Sequence, residues 1–199
     1  MASRFAPAIA AMDDAIRNST HFREWLRSRR WCGEAVGHRS EIAVKDKAVL
    51  VESGTEAVVL FHAVIREPEG QTVLHLPLSI SDTRHEPDAF EASSSAGRGF
   101  ATEAERREAY LRFVADGFDK GAKVATEAGD TLRFHGDPVG GFRAMGPAIA
   151  GDSTNLLVRF SAAKAEVVFK SYKFPDVRNR EPEILERLHR KQFRNTPRY

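Results

Sequence analysis

A chain of 199 residues, 42% hydrophobic and 29% charged, carries enough apolar material for one or two compact units. Its net charge of +2 is too small to argue for nucleic acid or a membrane surface as partner. Cys32 is the single cysteine, which excludes an internal disulfide and fits a reducing, cytoplasmic setting. Asp13 and Asp14 interrupt the first apolar run, so no signal peptide is expected, and no window is long enough to cross a bilayer.

Ala8, Ile9, Met12, Ala15 and Ile16 recur at helical spacing and predict a first helix, closed by Asn18-Ser19-Thr20. A second helix places Phe22, Trp25 and Leu26 on one side and ends near Trp31-Cys32-Gly33. Ile42-Ala43-Val44 and Ala48-Val49-Leu50-Val51 read as two short strands either side of Lys45-Asp46-Lys47. The apolar runs Ala57 to Ile65 and Thr72 to Ile80 flank the turn Glu67-Pro68-Glu69-Gly70 and form a hairpin. No crossover helix fits between these strands, so the pattern is an antiparallel meander.

Ser81 to Gly99 reads as a surface loop. Thr102-x-x-Glu105 has the form of a capping box, opening a helix that buries Leu111, Val114, Phe118 and Ala122. A strand at Leu132-Arg133-Phe134 follows, and the glycine-rich stretch His135 to Gly141 marks a boundary between units 1–135 and 136–199. Beyond it lie strands at Phe142 to Ala144, Leu156 to Phe160 and Glu166 to Phe169, then a helix from about Asn179 to Lys191.

Lys170 ends the last of these strands, and Glu183 lies thirteen residues later, near the start of the final helix. A compact ammonium at a strand end can reach two phosphate oxygens when a carboxylate holds it, which is how kinase-like folds grip a nucleotide. The competing reading makes Lys170 a solvated strand end and Glu183 a helical partner of Arg187. Ser153, Thr154 and Asn155 form a turn that can offer hydroxyl and N–H donors to a phosphate, although neither a kinase glycine loop nor a Walker sequence is present. The seven histidines show no metal-ligand spacing; His62 and His75 fall on facing strands and read as structural. Cys32 reads as a buried thiol, and Trp25 and Trp31 as core or cap aromatics.

Taken together, Leu26-x-x-x-Arg30-Trp31-Cys32-Gly33, Leu76-Pro77-Leu78, Ser153-Thr154-Asn155, Lys170, Asn179-Arg180-Glu181-Pro182-Glu183 and Phe193-Arg194-Asn195-Thr196-Pro197 resemble bacterial maltokinases. The resemblance runs from Phe22 to Pro197. It implies an α+β fold, with an antiparallel meander and flanking helices as the N-terminal cap (1–135). A kinase N-lobe-like antiparallel sheet with one αC-type helix would follow (136–199). It also implies that Lys170 binds the α/β-phosphates of ATP, that Glu183 orients it, and that Ser153, Thr154 and Asn155 lie over the nucleotide. Magnesium and a sugar such as maltose are the implied cofactor and acceptor. The C-lobe, with its catalytic base and metal-binding aspartate, has no counterpart here. The expected function is therefore the cap and nucleotide-binding portion of a sugar kinase, inactive alone, with a kinase C-lobe as an expected partner. The alternative is a non-catalytic binding or regulatory module, or half of a split kinase, working with an enzyme of α-glucan or trehalose metabolism.

Overall fold

The computed structural model describes residues 3–32, 35–37, 40–68, 70–146, 156–164, 166–175 and 180–193. Helix α1 (Ala6–Asn18) has a proline in its first turn, where no N–H is needed, and buries Ala8, Ile9, Ala11, Met12, Ala15 and Ile16. Helix α2 (Thr20–Arg27) starts where the Ser19 hydroxyl accepts the Phe22 N–H, at 3.2 Å. It stops at Arg27 and not near Trp31. Ser28 turns its hydroxyl back onto the Trp25 carbonyl (2.7 Å), and Arg29 N–H reaches the Leu26 carbonyl, tightening the chain out of the helix.

The two short strands expected at Ile42 and Ala48 are one, β1 (Glu41–Glu52), paired antiparallel to β2 (Ala57–Glu67). Bulges between Val44 and Asp46, and between Val49 and Val51, let it carry Lys45-Asp46-Lys47 without breaking. Lys47 then reaches Asp13 on α1 at 2.8 Å, while Asp46 accepts the Ala128 N–H at 2.9 Å. Strand β3 (Gly70–Ser81) completes the predicted hairpin, with Phe61 opposite Leu76 and His62 opposite His75.

The region read as a loop contains a second hairpin, β4 (Phe90–Ser94) and β5 (Gly97–Glu103), giving the sheet order β1-β2-β3-β5-β4. The glycines that suggested a loop are there for close approach. A Cβ at Gly97 would fall 2.7 Å from Pro7 Cβ, and one at Gly99 would fall 2.8 Å from Ala8 Cβ, so α1 lies directly on these strands. Thr102 belongs to β5 and Glu105 is buried in a single tight turn (Ala104–Arg106), so the capping box does not form. Helix α3 (Glu108–Lys120) begins after it and ends at Gly121, whose φ of 56° is left-handed. Leu111 and Val114 are buried as expected, but Phe118 is half-buried against Phe134 and Ala122 lies past the helix end.

A small hairpin, β6 (Lys123–Ala125) and β7 (Thr131–Arg133), docks on β1 through the Glu127 N–H and Lys47 carbonyl, 2.9 Å apart. A second antiparallel sheet follows, ordered β10-β9-β8, from β8 (Phe142–Met145), β9 (Leu156–Ala162) and β10 (Glu166–Ser171). Helix α4 (Glu181–Arg190) comes last. The fold is α+β with antiparallel sheets and flanking helices. Phe22, Leu26, Phe61, Leu76 and Leu78 fill the core between the large sheet and α1 and α2. Leu111 and Ala115 of α3 share a second cluster with Phe142, Val158 and Phe160 of the small sheet. The elements on either side of residue 135 are therefore joined by a common apolar core.

Candidate functional site

Strand β10 alternates as a half-buried strand should. Val167 and Phe169 pack towards the α3 cluster, and the alternation puts Val168 and Lys170 on the opposite side. At the strand end the Lys170 ammonium donates to Glu181 Oε2 at 2.5 Å, and the Tyr172 hydroxyl donates to the same oxygen. The ammonium also lies 5.0 Å from the centre of the Tyr172 ring. Glu181 is the first residue of α4, where the helix dipole favours a carboxylate.

These contacts shift all three groups. Burial pulls the Lys170 ammonium down, but its bonds with Glu181 and Tyr172 outweigh this and hold it above its usual value. The hydrogen bond from Lys170, then that from Tyr172, keeps the Glu181 carboxyl below the ordinary glutamate value. Burial and the neighbouring Glu181 raise the Tyr172 phenol. The site is a charged lysine and an ionised glutamate at neutral pH.

The carboxylate that meets Lys170 is Glu181, and Glu183 instead lies 3.4 Å from Arg180 Nε on the exposed side. The reason is helical geometry. Positions i and i+2 stand about 200° apart around an α-helix, so only one of the two glutamates can face the strand. Ser153, Thr154 and Asn155, in the connection between β8 and β9, lie outside the described residues.

What fixes the strand end from its other side was not legible beforehand. Ser171 donates to Glu105 Oε1 at 2.6 Å, and Lys173 donates to the same oxygen, with 1% and 0% of the Lys173 and Glu105 side chains exposed. Lys173 Nζ lies 5.1 Å from the centre of the Trp31 ring, whose indole N–H donates to Glu103. The Lys173 carbonyl accepts the His75 N–H at 2.7 Å, and Phe174 packs beside Trp31. Successive residues thus point alternately out to Glu181 (Lys170, Tyr172) and in to Glu105 (Ser171, Lys173). The only local signal was a second lysine three positions after Lys170; its partner is 68 residues away in the chain.

Other residues singled out above carry less. His75 Nε2 and His62 Nδ1 are 2.9 Å apart on the facing strands, and burial together with the neighbouring His62 charge keeps His75 below its ordinary value. Burial pushes the Cys32 thiol up to about 11, so it is an unreactive core group. Among the described residues, no three His, Cys, Asp or Glu side chains converge as a metal site, and no helix is long and apolar enough to cross a membrane. The donor set at Lys170 suits a phosphate oxygen. Glu181 Oε2 already accepts from two donors, so the residues at hand match a phosphate oxygen better than they match a magnesium ion.

No family model, curated protein or solved structure matches the chain.

Proposed function

We propose that this chain is the nucleotide-gripping cap and N-lobe portion of an ATP-dependent sugar kinase of the maltokinase kind, which turns over only together with a catalytic C-lobe. The observation that carries the reading is the 2.5 Å pair between Lys170, ending the third strand of a small antiparallel sheet, and Glu181, opening the helix that follows. A lysine so held presents its remaining donors to the α/β-phosphates of ATP without rotating freely, which lowers the ordering cost of binding.

Two further features support it. Val168, on the same strand face as Lys170, is 55% exposed, and Leu157 sits directly opposite Lys170 on β9. With the exposed Arg159, the cross-strand partner of Val168, they make up the face on which a purine would lie. Ile184 on α4 (53% exposed) and Phe193 just beyond it (61%) give an apolar surface of the sort a second lobe would cover. The phosphates would supply most of the magnesium ligands, and the base acting on the sugar hydroxyl would come from the partner. The lone buried cysteine supports a cytoplasmic location.

Titration calorimetry with Mg-ATP tests this. The expected result is saturable binding that Lys170→Ala abolishes and Glu183→Gln leaves unchanged. Equal affinity in the wild type and Lys170→Ala would overturn the reading.

A further inference from the structure

A cleft of about 450 Å³ opens where the end of α1, the first turns of α2 and the start of β1 meet. Three guanidinium groups from three different elements line it: Arg17 of α1, Arg23 of α2 and Arg66 of β2. Asn18 adds an amide, and Glu41 is the one carboxylate in the lining among the described residues. The cleft is large enough for a small metabolite and carries a net excess of positive charge.

The arginines are not consumed by the fold. The Arg66 side chain has no hydrogen-bond or ion-pair partner among the described residues, although Glu41 is its cross-strand neighbour. Arg17, which lines the cleft, bonds Asp13 through Nε at 2.8 Å, and its two terminal nitrogens are not used by that bond. Arg23 makes one neutral contact, from Nη2 to the Thr20 hydroxyl at 3.2 Å. Asp13 is itself shared, since it also receives Lys47 at 2.8 Å. Burial works to raise that carboxyl, but the bonds from Lys47 and Arg17 keep it low, so it is already fully engaged as their counter-ion. Guanidinium groups lining one cleft favour an anion between them, and their planar forks match the oxygens of a phosphate two at a time. β1 is an edge strand here, paired by the sheet on one side only.

We infer that this cleft is a binding site for a small phosphorylated metabolite, distinct from the Lys170 site and built from Arg17, Arg23 and Arg66. Carboxylates share the ability to accept a guanidinium fork, so a tricarboxylate is the control that separates the two sources of the same chemistry.

The test is calorimetric titration of the full chain with inorganic pyrophosphate and, separately, with citrate, at low and at physiological salt. The expected result is a saturable pyrophosphate site, present in the wild type and still present in Lys170→Ala, that Arg66→Ala and Arg23→Ala weaken at least about tenfold and Arg66→Lys partly restores. Arg66 is an exposed residue at a strand end, so its removal leaves the fold intact, which a far-UV spectrum checks. Three results would overturn the inference: no saturable binding, citrate bound in preference to pyrophosphate, or a site lost in Lys170→Ala and kept in Arg66→Ala.

Discussion

Lys173 and Glu105, 68 residues apart in the chain, form an ion pair with both side chains almost wholly removed from solvent. Ser171 shares the same carboxylate oxygen, and Glu105 Oε2 has no hydrogen-bond partner among the described residues. A buried pair of this kind is weakly stabilising as a pair and strongly destabilising when halved, because the survivor is left as an uncompensated charge. Lys173→Met alone should cost about 3–5 kcal/mol, and adding Glu105→Gln should recover a large part of that. Chemical denaturation of the two single variants and the double variant measures the coupling. Simple additivity would show that the pair does not act as a unit.

The same network steadies the Lys170 site, since Ser171 and Lys173 alternate with Lys170 and Tyr172. Glu181→Gln keeps the shape of the side chain and removes its charge. It should weaken Mg-ATP binding by roughly tenfold, the scale of one charge-assisted hydrogen bond. Tyr172→Phe should have a smaller effect. Equal binding by Glu181→Gln and wild type would show that Lys170 is positioned by other contacts.

The paired histidines make stability depend on pH. Folding lowers the His75 value below its ordinary 6.5, by burial first and by His62 second. Below 6.5 the unfolded chain therefore binds a proton that the folded chain resists. The contribution is complete above that pH and is lost as the pH falls through it towards the folded value. Asp46, opposite His62 in the register, is ionised throughout this window. Thermal unfolding should show a lower midpoint at pH 5 than at pH 7.5, and His75→Gln should flatten that difference. An unchanged slope would assign it to other groups. The Glu181 carboxylate acts in a separate window, its contribution being lost only as the pH falls below 4.5 and through its lowered value.

Gly117 sits inside α3, where alanine is the better helix former by about 1 kcal/mol. A Cβ there would lie 2.7 Å from the Phe134 ring, which is itself packed against Phe113 and Phe118. Gly117→Ala should therefore destabilise the protein by about 1–2 kcal/mol in denaturant unfolding, the cost of overpacking exceeding the gain in propensity. A stabilised variant would mean that the ring moves aside freely.

Much of the architecture was legible because its signals are local. The meander β1-β2-β3 follows from the apolar, β-branched runs either side of the Glu67-Pro68-Glu69-Gly70 turn signal, and α1 from the recurrence of Ala8, Ile9, Met12, Ala15 and Ile16. Where reading failed, a local pattern served a distant need. Gly97 and Gly99 look like loop punctuation but make room for Pro7 and Ala8, and Thr102-x-x-Glu105 looks like a cap while Glu105 is reserved for Lys173.

The candidate site divides in the same way. That Lys170 ends a strand and that a glutamate opens the next helix was determined by sequence alone, since strand periodicity and helix-start chemistry need only neighbouring residues. Which glutamate faces the lysine was decided by how α4 is rotated against β10, and the choice fell on Glu181. The burial of Lys173 against Glu105, and the convergence of Arg17, Arg23 and Arg66 on one cleft, were likewise decided by tertiary structure. Such contacts join residues tens of positions apart, and nothing in the chain near any one of them specifies its partner until the sheets and helices have packed.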